Sequence, residues 1–156
     1  MIEHYASQEP SIKGPVPTPP ANGNAPLDRL QGRRALIVED ETLVGWHLES
    51  LLQRLGIEVL DIVSSGEEAV TEAIEAKPDV VFMDVNLSGG LDGIEAAQRI
   101  LEKVSVAIVF VTAYADDEVA LSRIRAVQDN GIVVGKPATP VGIERALRQV
   151  ERASFS

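Results

Sequence analysis

Four apolar runs in this chain end on residues that can do chemistry. Val80–Met83 ends on Asp84, and a Gly-containing loop follows. Ala35–Val38 ends on Glu39 and Asp40, Val106–Val111 on Thr112, and Ile132–Val134 on Gly135, Lys136 and Pro137. Three carboxylates gathered in one cleft repel each other, and one tends to take up a proton unless a cation resolves the conflict. Mg²⁺ favours a site of one or two carboxylates, a carbonyl and several waters. An ammonium from Lys136 and a hydroxyl from Thr112 would then suit the spread negative charge of a phosphoryl group in transfer. The nucleophile in such a set is a carboxylate, and its product an aspartyl phosphate. Each residue also has an ordinary reading. Glu39 and Asp40 could cap a helix beginning near Thr42, Asp84 could be a loop carboxylate, Thr112 a strand-end residue and Lys136 a solvated charge. What favours chemistry is their joint position at the ends of four predicted strands.

The elements that must bring them together are legible. Leu43, Val44, His47, Leu48, Leu51, Leu52 and Leu55 recur at helical spacing, and Gly56 stops that helix. Ile57–Val63 reads as a second strand, and Ser64-Ser65-Gly66 turns into a helix rich in Glu and Ala. Pro78 and Asp79 separate that helix from the strand ending at Asp84. Further helices are predicted over Gly93–Lys103, Asp116–Val127 and Val141–Arg152. Strands alternating with helices imply a parallel sheet with right-handed crossovers. The fold class expected is therefore α/β: a doubly wound, flavodoxin-like five-stranded parallel sheet of order 2-1-3-4-5, with helices on both faces. Its switch point lies between strands one and three, which end in Glu39-Asp40 and Asp84.

The totals fit this reading. A chain of 156 residues makes one domain with room for a tail. A net charge of -10 repels nucleic acid and anionic membrane surfaces. The absence of Cys excludes disulfides and thiolate metal sites, and with only His4 and His47 a zinc site is not expected. No apolar run approaches the roughly 20 residues that span a bilayer, and the first residues lack a secretion signal. A cytoplasmic protein is expected. Residues 1–29 hold six of the 9 prolines. Ordering such a segment costs about 1–2 kcal/mol per residue, more than its few large apolar side chains return. It is expected to be a mobile tail ahead of a domain over 33–153.

The motifs Leu-Ile-Val-Glu-Asp-Glu, Val-Phe-Met-Asp, Asp-Gly-Ile-Glu, Phe-Val-Thr-Ala and Gly-Lys-Pro together resemble the receiver domain of two-component response regulators, single-domain type, with the CheY-like fold. The resemblance implies that Asp84 accepts a phosphoryl group from a histidine kinase or a histidine phosphotransfer protein. It implies that Asp40 and Asp84 ligate Mg²⁺, with Glu39 nearby through water and the Asn86 backbone carbonyl as a further ligand. Thr112 and Lys136 would contact the phosphoryl oxygens, and the Lys136–Pro137 bond would be cis. Such a protein is not an enzyme in the usual sense, although it takes part in its own phosphorylation and dephosphorylation. Its output would be protein binding or onward phosphotransfer, since the chain stops shortly after the fifth helix.

Three departures stand out. Ser88-Gly89-Gly90 replaces the Pro common after the phosphorylated Asp, in a loop one residue longer. Val133 stands where an aromatic is usual. Phe110-Val111-Thr112-Ala113-Tyr114 resembles the Phe-x-Thr-x-Tyr core of the atypical FAT GUY receivers, which makes Tyr114 a candidate switch. Trp46, the only Trp, is a candidate anchor for kinase docking on the first helix, and His47 is expected to pack on that helix face. Three rivals remain. A nucleotide-binding loop at Gly131–Lys136 has wrong spacing and Pro137 where Ser or Thr belongs. An aspartate-nucleophile phosphohydrolase would want a second Asp where Asn86 stands. A non-phosphorylated interaction module leaves the acidic set without a purpose.

Overall fold

The computed structural model describes residues 28–154. Five strands alternate with five helices: β1 (Arg34–Val38), α1 (Thr42–Arg54), β2 (Glu58–Val63), α2 (Gly66–Ala76), β3 (Val80–Asp84), α3 (Gly93–Lys103), β4 (Ala107–Thr112), α4 (Glu118–Val127), β5 (Val133–Gly135) and α5 (Pro140–Ser154). The strands form one parallel sheet in the order β2-β1-β3-β4-β5, the doubly wound arrangement expected from the alternation. Residues 1–27, with the Pro-rich segment expected to be a mobile tail, lie outside the described residues. The turn Asp28–Leu30 precedes β1. It is held by the Arg29 N–H, which donates to the Glu151 carboxylate on α5 at 3.0 Å, and by Leu30, which is buried in the core.

Strand alternation explains which helix lies on which face. Ala35, Ile37, Val80 and Phe82 point to one side and pack with Leu48, Leu51 and Leu52 of α1 and Ile143 and Leu147 of α5. Leu36, Val38, Val81 and Met83 point to the other and pack with Ala69 of α2, Ala97 and Ile100 of α3 and Ile124 of α4. Buried on both faces, β3 reads as a continuous apolar run. Each large side chain such as Phe82 or Phe110 contributes about 1.5–3 kcal/mol by leaving water. At the edge of the sheet, β2 is correspondingly more polar.

Helix ends follow local capping chemistry. Ser65 accepts from the Glu68 N–H to start α2, and Asp92 and Glu95 form a reciprocal capping box at α3. α4 begins at Glu118, two residues later than the apolar pattern indicates, because Asp117 caps it through the Ala120 N–H. Residues 113–116 form a turn instead. α1 differs from the expected uninterrupted apolar face. Leu48, Leu51 and Leu52 are buried, but Leu43 is 74% exposed. The first turn of α1 faces the loop after β5 and leaves a groove of about 360 Å³ lined by Leu43, Val44, His47, Pro137 and Ala138.

Candidate functional site

Parallel strands in register end at one level, which is how distant residues meet here. The Glu39 N–H donates to the Val63 carbonyl at 2.9 Å, the Val85 N–H to the Val111 carbonyl at 3.1 Å and the Lys136 N–H to the Thr112 carbonyl at 2.9 Å. Among the described residues, three polar or charged side chains are buried: Glu39 (4% exposed), Asp84 (2%) and Thr112 (1%). All three stand at this carboxyl edge. Burying charge is costly unless it is paired, and the pairing is complete, since no buried side-chain polar atom among the described residues lacks a partner.

Lys136 supplies most of it. Its Nζ lies 2.9 Å from Glu39 Oε1 and 3.2 Å from Asp84 Oδ1. The Asn86 N–H donates to the same Asp84 oxygen at 3.0 Å, and the Glu41 N–H donates to Glu39 Oε2 at 3.1 Å. Burial pushes the Glu39 pKa up, opposed by Lys136 and the Glu41 N–H and reinforced by the Asp84 charge, and the net direction is upward. Burial works to lower the Lys136 pKa, but the Glu39 hydrogen bond and the Asp84 charge outweigh it and hold the ammonium above the usual lysine value.

Asp40 is oriented differently. Its Oδ2 accepts from the Ser88 hydroxyl at 2.9 Å and the Ser88 N–H at 3.2 Å. Burial works to raise its pKa, and the two Ser88 donors outweigh that, so the net direction is downward. Glu39, Asp40 and Glu41 each present an oxygen within 4.8 Å of the others. The carboxylate cluster therefore comprises three consecutive residues, while Asp84 joins it across Lys136. Four carboxylates against one ammonium, all hard oxygen donors, fit a hard divalent cation better than a soft one. Glu41 and Ser88 were missed as participants by sequence reasoning. The one available signal was Ser88 itself, which brings an N–H to a position where Pro would have none.

The remaining candidates are dispersed. The Thr112 Oγ1 accepts from the Tyr114 N–H at 3.0 Å, but the Tyr114 side chain is 62% exposed in the turn before α4. Trp46 is 58% exposed on α1. His47 Nε2 lies 2.9 Å from the Ala138 carbonyl, tying α1 to the loop after β5. The Lys136–Pro137 bond is cis. Gly93 opens α3 against β3, where a Cβ would run into the Asp84 carbonyl oxygen.

Fold and site together define a parallel α/β protein with an acidic, lysine-bridged pocket at the carboxyl edge of its sheet. The chain belongs to the response regulator receiver domain family, which matches residues 35–148. It is similar to the chemotaxis protein CheY of Thermotoga maritima, at 30% identity over 78% of this chain and 99% of that protein. It is likewise similar to the phyllosphere-induced regulator PhyR of Methylorubrum extorquens, at 30% identity over 73% of this chain and 42% of that one. Among solved structures, the receiver domain of a sensor histidine kinase from Pseudomonas aeruginosa, with a magnesium ion coordinated in its active-site cleft, is 27% identical. It matches with a TM-score of 0.63 over 76% of this chain and 96% of that one. The chain spans less than half the length of PhyR and of several other curated relatives. No helix among the described residues is long and apolar enough to cross a membrane.

Proposed function

We propose that this receiver domain accepts a phosphoryl group on Asp84 from the phosphohistidine of a histidine kinase or a histidine phosphotransfer protein in the cytoplasm. An Asp84 oxygen attacks phosphorus, the phosphorus–nitrogen bond breaks, and the imidazole leaves with the electron pair. The observation that carries this reading is the burial of Glu39, Asp84 and Thr112 at one sheet edge with Lys136 bridging two of them. Lys136 is positioned to exchange its contact with Asp84 for one with a phosphoryl oxygen, and the Thr112 hydroxyl has its own proton free to donate. Glu39, Asp40, Asp84 and the Asn86 carbonyl would hold Mg²⁺. When bound, the ion would offset the negative charge that gathers on the phosphoryl oxygens.

A phosphoryl group adds about -1.5 to -2 charges at neutral pH. Tyr114, joined to Thr112 through its own N–H, is the residue we assign to reporting that change. NMR shifts of Tyr114 that ignore a phosphoryl analogue would remove it from this role. The decisive experiment is phosphotransfer from candidate kinases to the wild type and to Asp84→Ala with Mg²⁺ present. Stoichiometric labelling of the wild type alone is expected. Equal labelling of Asp84→Ala would refute the assignment, and steady turnover of a small phosphate ester would favour a phosphohydrolase.

A further inference from the structure

The Ser88 contact has no part in phosphoryl transfer, yet it occupies a proposed metal ligand. Asp40 Oδ2 accepts two hydrogen bonds from one residue, 2.9 Å from the hydroxyl and 3.2 Å from the backbone N–H. These donors do for Asp40 what a cation would do, placing positive charge beside a carboxylate that has Glu39 and Glu41 as neighbours. The segment making the contact is anchored at both ends. Leu87 is buried in the core, and the Leu91 N–H donates to a Glu67 oxygen on α2 at 3.0 Å. Between them Ser88, Gly89 and Gly90 are exposed. Gly89 turns at a φ of +81° with open space around it, a conformation that glycine adopts without strain. Gly90 lies against the Glu67 carboxylate of that anchor, so Ser88 and Gly89 are the residues with room to swing away.

We propose that Ser88 is an internal competitor for the metal: its two donors hold Asp40 Oδ2 against the cation, so Mg²⁺ binding and release of residues 88 and 89 are one coupled event. The inference rests on the Mg²⁺ reading of the acidic pocket. Apparent affinity scales with the fraction of molecules in which the ligand is free to bind. Proline at this position would lack the N–H and leave Asp40 free. Ser88 thus sets the metal affinity of the site without being a ligand.

Calorimetric titration of the full chain with Mg²⁺ tests this. Ser88→Ala removes the shorter bond and should tighten binding about threefold to tenfold, the net worth of one ordinary hydrogen bond on an exposed, solvated loop. Ser88→Pro removes both donors and should tighten it at least as much. In the unaltered protein, Mg²⁺ should accelerate hydrogen exchange at the Ser88 amide while that of Leu91 stays protected. Wild-type binding with unchanged or weaker affinity in Ser88→Ala, or a Ser88 amide indifferent to Mg²⁺, overturns the competition and leaves the metal site intact. No binding to the wild type, under conditions where Ser88→Ala also fails to bind, overturns the metal reading and this inference with it.

Discussion

Lys136 stands between two carboxylates that water barely reaches, and its removal is the most informative change at the residue scale. With Lys136→Met, Glu39 and Asp84 would confront each other without the ammonium at 2.9 and 3.2 Å. Breaking a buried charge cluster by deleting one partner costs about 3 kcal/mol at the low end of its range. Chemical denaturation should show that loss at neutral pH, and added Mg²⁺ should restore part of it by supplying positive charge. A variant as stable as the wild type would mean that the pocket is more solvated than its burial indicates. Two neighbouring oxygens that do not face Lys136 are also met by donors: Glu39 Oε2 by the Glu41 N–H and Asp40 Oδ2 by Ser88.

At the scale of elements, the start of α3 joins three functions in two residues. Gly93 lets the helix approach the Asp84 carbonyl, and Gly93→Ala must displace either β3 or α3. A loss of about 1–3 kcal/mol in denaturant titration is expected, the usual cost of overpacking. Asp92 caps the helix and pairs with Arg123 of α4 at 2.8 Å. Burial works to raise the Asp92 pKa, but the Glu95 N–H and then Arg123 outweigh it, so the folded value lies below the ordinary one. A lowered carboxylate pKa contributes stability above the unfolded value of about 3.9 and loses it as pH falls through the folded value. Asn keeps the cap but not the charge. Asp92→Asn should therefore be less stable than wild type by about 0.3–1 kcal/mol at pH near 6. Melting curves should converge as the pH is lowered beneath that of an ordinary Asp. A gap that persists into strong acid would assign the difference to shape rather than charge.

For the whole molecule, the uncovered first turn of α1 is the feature that reaches outward. Leu43 is exposed in the groove that Lys136, Pro137 and Ala138 also line, and Trp46 is exposed on the same turn of helix. Exposed apolar side chains of this size are what a docking partner would bury, and under the proposed phosphotransfer this helix end is the surface to test. Leu43→Ala and Trp46→Ala are expected to leave folding stability within about 0.5 kcal/mol of wild type. Each should slow phosphorylation by a cognate kinase about tenfold or more, as truncating an interface anchor does, while phosphorylation by a small-molecule donor proceeds at the wild-type rate. Equal slowing with both donors would place the defect in the pocket instead.

The order of elements, the parallel doubly wound sheet and the edge on which Asp84, Glu39, Thr112 and Lys136 gather were all legible in the sequence. Apolar runs and helical spacing are local signals repeated many times over, and right-handed crossovers leave few topologies to choose among. Tertiary structure decided the partnerships. That Asp40 turns to Ser88, 48 positions away, while Glu39 and Asp84 share Lys136, depends on how loops close over the sheet, and no periodic pattern encodes a loop. The bare end of α1 was likewise hidden. Leu43 carries the same apolar signal as Leu48, and only the reach of the neighbouring elements determines which of the two is covered.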